Sequence, residues 1–363
     1  MLTHPAFCSA DAATRVALLN GSGTRCWWHS SESVRAERTL ALLREICAAP
    51  PADANTPCYR LSGRSACFPS VVGVGFPKCG TRALFELLAL HPDVAASSPK
   101  ETDFFRNRFR PGLLDLPGYL ATWPTGGDAH QRRVEFSQYA RHDCRVRTDG
   151  TAEATCPQAA SQPATRMWLT LPPSTLAVAI VREPVARAYS HYTYFRTRLL
   201  GRGKALGGVA QRAMSSFEAC VCAEVETRFQ LQGGMVTGGY YAMFLEQWRR
   251  GARGLRLLVL TAEELRGDGG GAVLQRVAEA AGLRPLPWWL ASVATHRRSA
   301  NSQGGAVAAD VARAAPAAYD WLRDHYRPWN ARLARELPSV ATAWHLPQTN
   351  GARLRCDGNG SVA

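Results

Sequence analysis

The stretch that decides the fold is Pro69–Leu90, PSVVGVGFPKCGTRALFELLAL. Its β-branched apolar run, VVGV at 71–74, is typical of a buried parallel strand. A glycine-bearing turn at 75–80 follows. From Thr81 onward, apolar residues at helical spacing predict a helix, and Pro92 predicts its end. The stretch therefore predicts a strand, a tight loop and a helix in succession.

The predicted loop has the features of an anion site. Backbone N–H groups at a helix N-terminus point at the ligand, and the helix dipole adds positive potential. Lys78 contributes a mobile charge and Thr81 a hydroxyl. The common nucleotide loop is G-x-x-x-x-G-K-[ST], whereas here Gly80 is followed by Thr81-Arg82 and the lysine comes two residues earlier. This order weakens the Mg-nucleotide interpretation, and an ordinary strand–turn–helix with a stray lysine stays open.

A second candidate phosphate site follows a second predicted buried strand, Leu176–Val181. The next residues, 182–190, read REPVARAYS, and Pro184 suits an early helical position. Arg182 would leave the strand end, and Ser190 would lie two helical turns further on. Both can point at one phosphate, the arginine as a charge-assisted fork and the serine as a neutral donor.

The interval between these sites carries SPKETDFF at 98–105 and VEFS at 134–137. By themselves, Lys100 and Glu101 are consistent with an exposed ion pair ahead of two phenylalanines that anchor the segment in the core.

The two phosphate motifs together resemble those of sulfotransferases that use 3′-phosphoadenosine 5′-phosphosulfate (PAPS), in particular the Golgi glycan branch typified by heparan sulfate sulfotransferases. The resemblance covers about residues 68–345. It implies a doubly wound α/β fold, in which a central parallel sheet is flanked by helices and PAPS lies at the carboxyl ends of the strands. This is the P-loop-like sulfotransferase fold.

The resemblance also implies the donor site. Six residues of the first motif would hold the 5′-phosphosulfate: Lys78, Cys79, Gly80, Thr81, Arg82 and Ala83. Arg182 and Ser190 would hold the 3′-phosphate, although Glu183 stands where the family has aspartate. A basic glycine-bearing loop at 295–305 would close over the nucleotide, with Arg297 and Arg298 as candidates.

On the acceptor side, the resemblance implies that Glu101 is the general base and Lys100 its basic neighbour, while Lys78 stabilises charge on the leaving phosphate. Glu101 and Lys78 are therefore the predicted catalytic residues. Lys100, Asp103 and Glu135 are the predicted substrate contacts.

Two replacements bear on activity. Asp103 stands where the family has histidine, and Phe136 replaces a lysine that helps the active site in several members.

The predicted function is in-line transfer of the sulfuryl group from PAPS to a hydroxyl or amine of a glycan, with PAP as product and no metal. Two alternatives stay open. One is a catalytically impaired homologue that binds anionic glycans, which the two replacements suggest. The other, less favoured, is a nucleotide-dependent kinase.

The composition and the net charge of the chain indicate which kinds of binding partner to expect. With 46% hydrophobic and 20% charged residues, the chain is globular and not disordered. A formal net charge of +14 over 363 residues favours an anionic partner, here a glycan or polysaccharide. An arginine-rich composition can equally reflect the base composition of the gene. No nucleic-acid motif accompanies the charge, so nucleic acid is not an expected partner.

The predicted organisation is an N-terminal extension at 1–66, a catalytic domain at 67–345 and a tail at 346–363. The extension would contain one helix, Val34–Cys47, and a linker, Ala48–Pro57. Further along, the sequence predicts a strand at Leu255–Leu260 and a terminal helix within Tyr319–Leu337.

Eleven cysteines favour an oxidising, secretory compartment, the Golgi lumen by resemblance. Disulfides are expected in the N-terminal segment and between Cys144 and Cys156. Sequons at Asn20 and Asn359 agree with that compartment. The sequence shows no signal peptide, transmembrane segment or membrane anchor.

Overall fold

The computed structural model describes the chain at residues 8, 33–49, 51–53, 56–61, 64–105, 116–123, 131–137, 139, 145–146, 154–155, 163–200, 208–227, 234–266, 269–296, 308–344 and 354–356. Arg297 and Arg298, the expected Cys144–Cys156 bridge and both sequons lie outside the described residues.

The described strands are β1 Pro51–Asp53, β2 Thr56–Leu61, β3 Arg64–Cys67, β4 Val71–Gly75, β5 Val94–Ala96, β6 Arg132–Phe136, β7 Arg145–Val146, β8 Ala154–Thr155, β9 Leu176–Val181 and β10 Arg256–Thr261. The described α-helices are α1 Ser33–Ala48, α2 Thr81–Leu88, α3 Leu116–Leu120, α4 Pro163–Thr170, α5 Pro184–Leu200, α6 Gly208–Ala213, α7 Phe217–Glu226, α8 Tyr241–Gly251, α9 Ala262–Arg266, α10 Gly270–Ala280, α11 Trp288–His296, α12 Ala308–Ala314, α13 Pro316–Ala334 and α14 Pro338–Ala343.

The central sheet has five parallel strands in the order β10-β9-β4-β6-β5. Val71 in the middle strand pairs with Leu176 on one side and with Val134 on the other. After β4 the chain moves to β5 and β6, and it later returns to β9 and β10 on the opposite side. The switch point of this doubly wound sheet therefore lies between β4 and β9, the two strands that carry the predicted phosphate loops.

Burial explains why β4 and β9 are continuous apolar runs. Every residue of both strands is buried, as expected where helices cover both faces of a parallel sheet. On the neighbouring strand β6, Phe136 is fully buried and packs edge-to-face on Phe85 of α2. Gly73 makes this close approach possible, because a Cβ at that position would overlap the Phe136 ring.

The N-terminal segment contains the expected helix as α1, but the interpretation of Ala48–Pro57 as a linker differs from the structure. This interval contains β1 and the start of β2, which form a small antiparallel sheet with β3. The Cys58–Cys67 disulfide joins two directly paired residues of β2 and β3. Two of the prolines that suggested a linker, Pro51 and Pro57, instead lie in β1 and β2.

Helix α1 packs on the main core. Leu42, Leu43 and Ile46 are buried and belong to the same hydrophobic cluster as β4. The Thr39 hydroxyl accepts a hydrogen bond from the Leu116 N–H at 3.0 Å. The described part of the N-terminal segment is therefore in contact with the sheet domain.

Three disulfides link described residues. Cys8–Cys47 and Cys58–Cys67 lie in the N-terminal segment, as expected. Cys222–Cys356, which the sequence did not suggest, attaches the C-terminal segment to α7. Among the described helices, none combines the length and the apolarity that crossing a bilayer requires.

Candidate active site

The loop after β4 has the geometry of an anion cradle. Gly80 has a φ of 95° and caps α2, a left-handed conformation that glycine adopts without steric cost. Along α2 the Leu84 N–H donates to the Gly80 carbonyl at 3.2 Å. The amides of residues 81–83 precede that bond, so they belong to the helix turn whose N–H groups have no intrahelical acceptor.

Lys78 is held in an unusual way. Its φ of 68° is uncommon for a non-glycine residue, and such conformations cluster at functional sites. The ammonium lies 4.2 Å from the centroid of the Tyr194 ring on α5, a cation–π contact. Burial, followed by the charge of Arg182, lowers the pKa of Lys78. The side chain is thus directed toward the helix that follows β9.

Arg182 brings the two predicted phosphate motifs together. It follows β9 directly, is only 3% exposed, and donates from Nη1 to the Lys78 carbonyl at 3.3 Å. Burial, and then the nearby Arg266, lowers the pKa of the Arg182 guanidinium. Positive charge is therefore concentrated where the carboxyl ends of β4 and β9 meet.

Glu183 caps the first turn of α5, even though the family has aspartate at this position. Its carboxylate accepts from the N–H groups of Val185 at 2.8 Å and Ala186 at 2.6 Å. Burial raises the pKa of Glu183 to about 7. The Glu183 N–H donates to Glu263, which also accepts from the indole of Trp344, at 3.1 Å in each case. A hydrogen-bond network from the end of α14 thus fixes the start of the predicted 3′-phosphate motif.

Two other members of the second motif have distinct surroundings. Ser190 is half-buried on α5. Arg187 is fully buried, and its guanidinium donates to the carbonyls of Gly234 and Met235. Arg187 therefore ties α5 to the segment before α8.

The first motif divides into backbone and side-chain roles. Cys79 is buried beside the Tyr241 hydroxyl, and burial raises the pKa of its thiol to about 11, so it stays protonated and unreactive at neutral pH. The Arg82 side chain is exposed and bonds Glu86 at 2.8 Å. Its guanidinium thus bonds a neighbour on the same helix, and its main-chain amide is the group predicted to contact the anion. Thr81 and Ala83 are half-buried.

The predicted base and its neighbour Lys100 lie beside α2. Glu101 keeps 44% of its side chain exposed and pairs with Lys100 at 3.1 Å. The Lys100 ammonium lies 5.9 Å from the centroid of the Phe85 ring on α2. Lys100 also donates to the Phe136 carbonyl at 3.3 Å. An accessible carboxylate with a cation beside it can accept a proton from a substrate.

Glu135 is placed differently from a surface substrate contact. Glu135 is fully buried, and its carboxylate accepts hydrogen bonds from four hydroxyls: Thr102, Tyr119, Ser137 and Tyr139. The Asp103 N–H donates to the Ser137 hydroxyl at 3.2 Å, and Asp103 has a φ of 52°. The burial of Glu135 favours a positioning role over direct contact with substrate.

Sequence reasoning did not single out Tyr194, Glu263, Arg266 or Thr102. Tyr194 lies one helical turn beyond Ser190, so its spacing on α5 was a usable signal. The contacts of Glu263 and Thr102 join residues 80 and 33 positions apart, respectively, and no local pattern indicates them.

The two loops predicted to bind phosphate thus lie at adjacent strand ends of an α/β sheet. The family described as "Sulfotransferase domain" matches residues 69–309, more than half of the chain. This chain belongs to the sulfotransferase family.

The relatives of known name are glycan sulfotransferases. The chain is 26% identical over 322 residues to human carbohydrate sulfotransferase 15, covering 77% of this chain and 55% of that protein. It is 29% identical over 217 residues to mouse heparan sulfate glucosamine 3-O-sulfotransferase 6, covering 60% of this chain and 53% of that protein. The chain thus spans about half the length of these relatives.

Among solved structures, a sulfotransferase from Alicyclobacillus acidocaldarius aligns with 77% of this chain and 99% of its own, at 19% identity and a TM-score of 0.49.

Proposed function

We propose that this protein transfers a sulfuryl group from PAPS to a hydroxyl or amine of a glycan, with Glu101 as the general base. The observation that supports the proposal is the hydrogen bond from Arg182 to the Lys78 carbonyl, which joins the loops after β4 and β9, the two loops predicted to bind phosphate.

The residues present fit the donor. The 81–83 amides and Lys78 suit the phosphosulfate, and Arg182 and Ser190 suit the 3′-phosphate. When bound, PAPS supplies a sulfuryl group on a good leaving phosphate. Arg182 selects for a nucleotide with a 3′-phosphate, and so for PAPS over ATP.

The transfer balances as follows. The acceptor oxygen or nitrogen forms a bond to sulfur while its proton passes to Glu101. The bond from sulfur to the bridging oxygen breaks, and the electron pair leaves with the phosphate of PAP. Lys78 and the helix amides stabilise the charge that develops on that phosphate.

A cation also lies at the end of β6. Phe136 carries no charge and its ring is buried, but the Lys100 ammonium reaches the carbonyl of that residue. We therefore assign Lys100 to the acceptor side of the cleft, where it can contact an anionic group of the glycan. Asp103, on the same segment, stays a proposed acceptor contact.

The acceptor class rests on charge and on the relatives. A net charge of +14 favours a polyanionic acceptor. The relatives named above are sulfotransferases of carbohydrate and of heparan sulfate. The disulfides are consistent with an oxidising secretory compartment, for which we propose the Golgi lumen.

The test is transfer of radiolabelled sulfate from PAPS to a panel of glycans by wild type, Glu101→Gln and Glu279→Gln. Glu279 is an exposed carboxylate on α10 and serves as the matched control. Loss of a general base is expected to lower the rate about 100-fold or more in Glu101→Gln, with PAP affinity unchanged by calorimetry.

The other possible results would contradict the assignment of the base or support a different function. Wild-type transfer by Glu101→Gln would remove that residue as the base. Tight PAP and glycan binding without transfer by wild type would indicate a glycan-binding homologue. Magnesium-dependent turnover of ATP would indicate a kinase.

A further inference from the structure

The Glu135 carboxylate is the centre of a buried hydrogen-bond cluster directly behind the predicted base. Oε1 accepts from Thr102 Oγ1 and from the Tyr139 hydroxyl, both at 2.9 Å, and from Ser137 Oγ. Oε2 accepts from the Tyr119 hydroxyl at 3.1 Å. Burial raises the pKa of the Glu135 carboxyl, and the hydrogen bonds from the four hydroxyls oppose that shift by stabilising the charged form.

Two of these bonds lead to the segment that carries Glu101. Thr102, the next residue in the chain, bonds the Glu135 carboxylate directly. Asp103 donates its N–H to Ser137 Oγ at 3.2 Å, and Ser137 in turn donates to Glu135. The main chain on the C-terminal side of Glu101 is therefore attached to the end of β6 at two consecutive positions.

The N-terminal side is attached to the same strand. The Lys100 ammonium donates to the Phe136 carbonyl at 3.3 Å and reaches the Glu101 carboxylate at 3.1 Å. Glu101 lies between two anchored neighbours and keeps 44% of its own side chain exposed. The arrangement fixes the backbone of the base and leaves its carboxylate accessible to an acceptor.

The residue type at 135 matters for this arrangement. An ionised carboxylate is an acceptor only, so both of its oxygens can receive hydroxyl donors: three bonds reach Oε1 and one reaches Oε2. A glutamine would direct an NH₂ group at one or more of these hydroxyls.

We propose that Glu135 is the positioning residue of the base: through Thr102 and Ser137 it holds the 100–103 segment so that Glu101 meets the acceptor proton. It acts without touching substrate. The proposal rests on the proposed function, because it concerns how Glu101 performs its assigned role.

The test uses Thr102, because Glu135→Gln disturbs four bonds at once and could fail to fold. Thr102→Val removes the bond to Glu135 at nearly constant shape, together with the weaker contacts of this hydroxyl to the Tyr139 hydroxyl and the Phe104 N–H, and Thr102→Ser keeps the hydroxyl. The control is Thr175→Val, which removes the 2.9 Å bond from a buried threonine to the Pro69 carbonyl. This bond lies at the amino-terminal ends of β4 and β9, away from the predicted site.

A misplaced base lowers the rate of the chemical step more than it lowers the affinity for the substrates. We expect Thr102→Val to lower kcat about tenfold or more with PAP affinity unchanged, Thr102→Ser to recover within about threefold of wild type, and Thr175→Val to keep the wild-type kcat. Wild-type kcat in Thr102→Val, no recovery in Thr102→Ser, or an equal loss in Thr175→Val would each overturn the proposal.

Amide hydrogen exchange gives a readout that does not depend on activity. Exchange in the 97–105 segment is expected to be about tenfold faster in Thr102→Val than in wild type, and unchanged in Thr175→Val. Unchanged exchange in Thr102→Val would overturn the positioning role. If wild type transfers no sulfate but exchange responds as expected, the role assigned to Glu101 fails while the attachment of the segment by Glu135 stands.

Discussion

Arg182 donates from Nη1 to the Lys78 carbonyl at 3.3 Å, and this bond joins two loops that are 104 residues apart in the chain. The guanidinium is buried between the carboxyl ends of β4 and β9, next to the ammonium of Lys78 and near Arg266. Like charges this close, and largely removed from water, disfavour one another. A ligand with phosphate groups on both loops would relieve this repulsion between buried cations, so Arg182 and Lys78 are both expected to matter for the donor.

Arg182→Ala is expected to weaken PAP binding about 10- to 100-fold, because a charge-assisted hydrogen bond to phosphate contributes roughly 1.5–3 kcal/mol. Arg182→Lys should give an intermediate affinity, since lysine keeps the charge but not the planar fork. Titration calorimetry with PAP measures both. The control is Arg253→Ala, an exposed arginine that donates to the Arg250 carbonyl. Equal PAP affinity in Arg182→Ala and wild type would contradict the assignment of the 3′-phosphate site.

Lys78→Ala is expected to lower the transfer rate about 100- to 1000-fold, the range found when a donor aimed at transition-state charge is removed. PAP affinity should fall less than in Arg182→Ala, because Arg182 and the helix amides remain. Single-turnover kinetics and calorimetry separate the two effects. If Lys78→Ala binds PAP far more weakly yet transfers sulfate at the wild-type rate once saturated, Lys78 serves binding and not the chemical step.

The parts of this site that could be predicted are those encoded by local pattern. The valines before Gly75 and the LAVAIV run before Arg182 indicated both buried strands, and a loop after each follows from its glycine, proline and charged residues. The resemblance to sulfotransferases implied that the donor lies at the carboxyl ends of the parallel strands, where both loops begin.

What could not be predicted depends on contacts between residues distant in the chain. The Thr102 hydroxyl donates to Glu135 on β6, 33 residues further along the chain, and the Trp344 indole, just after α14, donates to Glu263. No periodicity specifies such pairs, because they are set by how the elements pack. The antiparallel pairing of β1 with β2 was missed for another reason: proline and asparagine are typical of linkers and of turns between strands alike.

Gly73→Ala is expected to destabilise the protein by roughly 1–3 kcal/mol, the usual cost of overpacking a core. The added methyl group would overlap the buried Phe136 ring on the paired strand. Because the conflict is with one side chain, Gly73→Ala combined with Phe136→Leu should be more stable than the sum of the two single variants predicts. Urea denaturation of the four proteins measures this coupling, and strict additivity would show that the ring does not limit residue 73.

The buried carboxylate of Glu183 predicts a fall in stability with rising pH. Its folded-state pKa is about 7, compared with a usual value of 4.5. Between these values the unfolded chain has lost this proton while the folded chain keeps it. Stability therefore decreases with pH in this window, by up to about 1.4 kcal/mol per pH unit, and becomes constant above pH 7. Glu183→Gln should lack this decrease, which denaturant unfolding at several pH values would detect.

For His325 we expect the opposite pH dependence of stability, over a pH range that overlaps that of Glu183. Burial lowers the pKa of His325 from 6.5 to about 4, and it shares a hydrogen bond with the Tyr240 hydroxyl. Between pH 4 and 6.5 the unfolded chain binds a proton that the folded chain excludes, so this contribution makes stability rise with pH. In wild type the two slopes oppose each other from about pH 4.5 to 6.5. We therefore expect His325→Gln to show a steeper loss of stability with rising pH than wild type, and Glu183→Gln a gain. If both variants keep the wild-type profile, neither group changes its proton affinity on folding.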